Sequence, residues 1–128
     1  VKRVVLCSGK VYYDLLEEAE KRELTEVAIV RVEQLYPFPR AEVSAELARY
    51  PAAKEVVWCQ EEPMNQGAWF QIRHHLQACV ESTHHLSYAG RARSPAPATG
   101  HLKEHTAEQA ALVEQALAGP TETDASAE

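Results

Sequence analysis

Val57-Trp58-Cys59-Gln60-Glu61-Glu62-Pro63-Met64-Asn65-Gln66-Gly67-Ala68-Trp69 carries an apolar strand straight into a polar, proline- and glycine-marked turn and then into a helix. This junction decides the fold class. In α/β proteins the carboxyl ends of the strands bear the loops that meet ligands or other domains, so the same stretch is the first candidate for function.

Outward from that junction, strand-like runs occur at Arg3–Cys7, Val27–Val32, Lys54–Gln60 and Leu86–Ala89. The first three are the wholly apolar type expected of a sheet covered on both faces. Between them lie helical patterns. From Lys10 to Arg22, Val11, Leu15 and Ala19 share one stripe while Glu17–Lys21 and Glu18–Arg22 make four-residue pairs on the wet side. A second helix is expected after Pro39, presenting Val43 and Leu47 before Pro51 stops it. The third starts near Gly67 and places Trp69, Ile72, Leu76 and Val80 at core spacing.

The last helix is expected to open at Thr106, where Thr106-Ala107-Glu108-Gln109 fits a capping box, and to run through Leu112, Val113 and Leu117 to Gly119-Pro120. Arg91 to Gly100, rich in proline and alanine, reads as an extended connector, and the acidic residues 120–128 as a flexible tail after a domain spanning 1–119. Alternating strands and helices imply right-handed crossovers. The expected architecture is a three-layer α/β/α sandwich with a mostly parallel sheet.

The 128 residues suit one core, burying roughly two thirds of the unfolded surface. With 45% hydrophobic residues and no long apolar run, no membrane span is expected, and the run after Lys2-Arg3 is too short for a signal peptide. The net charge of −6 argues against a nucleic-acid surface. Cys7, Cys59 and Cys79 are odd in number and widely spaced, which points to a reducing compartment.

Ser8-Gly9-Lys10 sits between a strand and a helix but lacks the glycine spacing and following Ser/Thr of a phosphate loop, so Ser8 is read as a helix cap and Gly9 as a turn residue. His101-Leu102-Lys103-Glu104-His105 matches H-x-x-E-H, yet a helix starting at Thr106 would leave it outside the helical context that zinc ligation needs. Zinc is therefore not expected. The adjacent pairs His74-His75 and His84-His85 can each offer one ligand at most. Glu61 and Glu62 alternate across a strand and cannot share a substrate proton. No self-sufficient catalytic set is visible.

Four segments together carry a resemblance: Val5 to Leu15; Val27 to Pro39, which holds Glu33-Gln34-Leu35-Tyr36-Pro37-Phe38-Pro39; Trp58 to Trp69; and Tyr88-Ala89-Gly90-Arg91. In order and spacing, from about Lys2 to about Ala118, they closely resemble the C-terminal domain of the thiamin-dependent dehydrogenase component of the 2-oxoglutarate dehydrogenase complex. The resemblance implies a transketolase-type C-terminal domain, possessing here one edge strand fewer than the family's usual sheet. It also implies a homodimeric parent enzyme that oxidatively decarboxylates 2-oxoglutarate and passes the succinyl group to a lipoyl arm.

Thiamin diphosphate and magnesium would then sit in the two thiamin-binding domains, with no catalytic, cofactor or metal residue in this chain. The implied partners are those domains, the homodimer partner and the lipoyl succinyltransferase component, in the bacterial cytoplasm or a mitochondrial matrix. Gln60, Glu61, Asn65 and Gln66 are the candidate interface residues. An alternative is an effector-binding module for a nucleotide or acyl-CoA, with Arg31, Arg91 and Arg93 as candidate anion ligands because guanidinium geometry suits phosphate.

Overall fold

In a computed structural model that describes residues 1–80, 84–91 and 102–118, strands and helices alternate without exception. Their order is β1 (Arg3–Cys7), α1 (Val11–Lys21), β2 (Val27–Arg31), α2 (Arg40–Ala48), β3 (Glu55–Pro63), α3 (Trp69–Cys79), β4 (His85–Arg91) and α4 (Leu102–Ala118). The strands form one sheet in the order β2-β1-β3-β4, every neighbouring pair parallel. Parallel neighbours need a crossover, which the helices supply.

Alternation along β1 and β3 assigns the two faces. Val5, Cys7, Val57 and Cys59 point into one core with Val11 and Leu15 of α1 and Leu112, Ala116 and Leu117 of α4. Val4, Leu6, Val56 and Trp58 point into the other, against Val43 and Leu47 of α2 and Ile72 and Leu76 of α3. The result is the expected three-layer α/β/α sandwich.

Three local expectations need correction. β2 is half-buried along its whole length, because it is an edge strand, and hydropathy alone does not distinguish an apolar edge from an apolar centre. The cap position of α1 is Lys10, without a side-chain hydrogen bond, so Ser8 does not cap the helix. Its start is set instead by Gly9, whose φ of +82° is open to glycine and strained for other residues. Finally α4 begins at Leu102, a full turn before Thr106. The Thr106–Gln109 pattern is therefore not a capping box; the Gln109 side chain is drawn away to α1 and β3.

Residues 92–101 and 119–128 lie outside the described set, and with them the connector from 92 onward, Arg93, His101 and the tail. No helix among the described residues is long and apolar enough to cross a membrane.

Cys7 and Cys59 stand side by side in register on β1 and β3 as free thiols, both fully buried. Burial pushes the Cys7 thiol up to about 12 and raises Cys59 as well, so neither forms thiolate at neutral pH. Cys79 is only half-buried. With iodoacetamide at pH 8 the native protein is expected to take up one label per chain, at Cys79, and three after denaturation; peptide mass mapping with native label at Cys7 would contradict this.

A closed crevice at the carboxyl ends of the strands

The strand order reverses between β1 and β3, since β2 lies to one side of β1 and β3 to the other. At such a switch point an open α/β sheet leaves a crevice beyond its carboxyl ends, the usual place for a ligand. Here that crevice is spanned by side chains. Lys10 Nζ, after β1, lies 3.0 Å from Glu61 Oε1, near the end of β3. The same carboxylate oxygen accepts a hydrogen bond of 2.8 Å from Gln109 Nε2 of α4, which also donates to Asp14 Oδ2 of α1 at 2.8 Å.

Arg91, the last residue of β4, completes the cluster. Its side chain is only 10% exposed. Nε donates to Glu108 Oε2 at 2.9 Å, Nη2 to Gln109 Oε1 at 2.9 Å and to the His105 carbonyl at 3.3 Å, and Nη1 to the Glu61 carbonyl. One guanidinium thus ties β3, β4 and α4 together. The Glu61 carboxylate raises the Lys10 pKa, chiefly through their hydrogen bond and then through charge, so the exposed ammonium stays protonated.

Beside this cluster lies the loop between β3 and α3. β3 runs on through Glu61, Glu62 and Pro63, longer than its apolar run, so the turn proper occupies only 64–68. Gln60 is 3% exposed and fully engaged. Its Oε1 accepts from Trp58 Nε1 at 2.9 Å and from the Trp69 amide at 3.1 Å; its Nε2 donates to the carbonyls of Glu62 and Pro63 at 3.1 and 3.0 Å. That exhausts a side-chain amide.

The bond to Trp69 satisfies one of the orphan donors of α3, whose own cap residue, Ala68, offers no side chain for the purpose. Gly67 makes room for this arrangement, because a Cβ there would fall 2.5 Å from Gln60 Nε2. Gly90 plays the same part for Tyr88, whose hydroxyl donates to the Arg91 carbonyl at 2.9 Å. Burial raises the Tyr88 pKa, and the phenol stays neutral.

Of the proposed interface residues, Gln60 and Glu61 therefore face inward, whereas Asn65 and Gln66 are exposed, as is Glu62. Of the arginines, Arg91 is enclosed. Arg31 ends β2, apart from Arg91, with its guanidinium over the Tyr12 and Tyr13 rings and Nη1 donating to Tyr13 Oη at 3.1 Å. Glu33 Oε1 lies 2.8 Å from Arg31 Nε but off the N–H axis, an ion pair without a hydrogen bond.

His105 lies within α4 beside Arg91, with Nδ1 3.4 Å from Nη2. The helix therefore includes most of the H-x-x-E-H run, contrary to the context expected for it, while His101 is outside the described residues. Among the described residues no three His, Cys, Asp or Glu side chains are grouped to hold a metal ion.

An open groove of about 400 Å³ runs between α1 and α4, lined by Asp14, Glu17, Glu18, Arg22, His105 and Val113 among others. Arg22, its cation, is committed to Glu18 at 2.8 Å and to Glu114 of α4. Lys10, Asp14, Glu108 and Gln109 had no place in the sequence-based site. No local pattern announces them, because Gln109 and Asp14 are 95 residues apart and meet only once the sheet has brought α1 and α4 onto one face.

The sequence matches the 2-oxoglutarate dehydrogenase C-terminal family over residues 1–117. It is 52% identical over 118 residues to the 2-oxoglutarate dehydrogenase E1 component of Cupriavidus necator, covering 92% of this chain and 12% of that protein. For the E1 component of Coxiella burnetii the figures are 53% over 119 residues, 91% and 13%; for that of Haemophilus influenzae, 51% over 117 residues, 91% and 12%. The chain thus spans about an eighth of the length of these relatives. With the match running from β1 almost to the end of α4, the chain belongs to the 2-oxoglutarate dehydrogenase C-terminal family.

Proposed function

We propose that this chain is the scaffold and subunit-interface domain of a thiamin-dependent 2-oxoglutarate dehydrogenase E1 component, and that it performs no chemistry alone. The parent reaction is the oxidative decarboxylation of 2-oxoglutarate with transfer of the succinyl group to a lipoyl arm. One observation carries the reading: the switch-point crevice is bridged by Lys10, Glu61 and Gln109, while the adjoining loop turns Glu62, Asn65 and Gln66 outward.

Thiamin diphosphate does not fit the described residues, because the Lys10–Glu61 pair puts a carboxylate beside the glycine turn where a diphosphate would need donors. In this reading the cofactor and magnesium belong to the thiamin-binding domains. Gln60 and Glu61 hold the loop in shape, and Asn65 and Gln66 meet those domains or the homodimer partner; the lipoyl succinyltransferase component engages the assembled enzyme in the bacterial cytoplasm. The effector-binding alternative is not favoured, since all three Arg91 nitrogens are engaged and Arg31 faces Tyr13 and Glu33.

The test has two arms. The chain supplied with thiamin diphosphate and magnesium is expected to show no 2-oxoglutarate decarboxylation, and Asn65→Ala with Gln66→Ala in a full-length E1 component is expected to weaken subunit association at unchanged melting temperature of this domain. Turnover by the chain alone, or a loss of domain stability equal to the loss of association, would refute the proposal.

A further inference from the structure

Away from the crevice, α3 presents His74 and His75 toward the segment that leads into α2. Their positions on a helix are about 100° apart, yet the two rings lie 4.0 Å centroid to centroid. His75 also touches Phe38 and Arg40. Its ring lies parallel to that of Phe38, 5.2 Å away with an interplanar angle of 7°. On its edge Arg40 Nε donates a 2.8 Å hydrogen bond to His75 Nδ1.

That bond fixes the state of the ring. Arginine is a donor only and keeps its charge at any pH the protein meets, so Nδ1 must offer a lone pair and the proton must sit on Nε2. A proton added at Nδ1 would face the Arg40 N–H across the same gap, with a second imidazole tilted at 38° beside it. Loss of the hydrogen bond and gain of repulsion would act together.

Besides the packing of Phe38 on the core shared by α2 and α3, the segment that His75 holds has few other ties. α2 starts at Arg40 behind Pro39, whose side chain offers no cap, so the first turn leans on the backbone bonds Arg40 N to Phe38 O and Val43 N to Pro39 O, both 3.0 Å. Beyond these, Cys79 Sγ approaches the Arg40 carbonyl at 3.5 Å, and Tyr36 donates to Gln71 Oε1.

We propose that Phe38, Arg40, His74 and His75 form a pH-sensitive latch, closed when His75 is neutral and released on its protonation, which frees the segment 36–40 and the first turn of α2 from α3. The groups that act on His75 are His74 from its own helix and Arg40 from α2, while the Phe38 ring beside it is apolar. Partial desolvation first, then His74 and Arg40, hold the His75 pKa below its usual 6.5. A folded-state pKa lowered in this way gives stability that is complete above 6.5 and lost as pH falls through the folded value.

The test follows histidine ring signals by NMR and amide protection in α2 by hydrogen exchange, corrected for intrinsic rates, between pH 7.5 and 5. In the intact chain His75 should titrate below 6.5 as the Nε2–H tautomer, and protection at Arg40 and Val43 should fall at the acid end while β1 and β3 keep theirs. Arg40→Gln should move the His75 midpoint upward, and His75→Gln, which retains an acceptor, should remove the pH dependence. An His75 midpoint at or above 6.5, α2 protection that does not change with pH, or an unaltered acid response in His75→Gln would each overturn the latch.

Discussion

Trp58→Ala is expected to remove about 3–5 kcal/mol from the unfolding free energy, the usual cost of deleting a large aromatic from a close-packed core. Trp58 is 1% exposed and pairs in register with Leu6 on one side and Tyr88 on the other, so its ring fills the centre of the core shared with α2 and α3. Against a typical total of about 5–15 kcal/mol, that loss leaves the domain marginal. Trp58→Phe separates two contributions. It keeps most of the apolar burial and removes the indole N–H that donates to Gln60 Oε1, for an expected cost of about 1–2 kcal/mol. Urea denaturation followed by far-UV circular dichroism gives both values; a Trp58→Ala midpoint within error of the parent would refute the central packing role.

The second large effect is expected at Arg91. Arg91→Leu leaves Glu108, Gln109 and the Glu61 carbonyl without their shared donor. Breaking a buried ion pair from one side costs about 3–5 kcal/mol, but Glu108 is 41% exposed and water recovers part of it, so about 2–3 kcal/mol is expected. The loss should be local as well as global, with amides of α4 exchanging faster than those of α1. By contrast Arg31→Leu, at the part-exposed end of an edge strand, should cost less than Arg91→Leu. Thermal melts of the two variants provide the comparison, and equal melting temperatures would refute the clamp assigned to Arg91.

Much of the fold was legible because apolar strands and amphipathic helices announce themselves locally. β1 spans the residues the hydropathy pattern marks, and the helix stripes Val11–Leu15–Ala19, Val43–Leu47 and Ile72–Leu76 are the ones buried. What was not legible depends on partners distant in sequence. Glu61-Glu62-Pro63 reads as a turn because its residues are polar, but β4 and Gln60 supply the hydrogen bonds that keep it a strand. Thr106 to Gln109 has the letters of a helix start, and only the pull of Asp14, Glu61 and Arg91 on Gln109 shows that it lies inside one.

The candidate site divides in the same way. Its location at the end of β3 could be read from the strand-to-helix junction, whereas the direction of each side chain could not. Gln60, the most polar-looking member of the loop, is its most deeply buried. A side-chain amide with all four hydrogen-bonding positions met is at home in a core, and the groups that meet them are mostly backbone atoms, which a sequence does not display.

The sheet order also dictates a history for the newly made chain. Of the four described strands β1 comes first in sequence, yet it is an inner strand, with Val4 between Ala28 and Val56. It can zip onto β2 early through α1, but its other flank stays bare until β3 has left the ribosome. Until then a buried-type apolar strand presents an unsatisfied edge, the kind of surface that recruits foreign strands. Slow emergence of residues 32–63 from the ribosome would therefore prolong an aggregation-prone interval in the life of this domain.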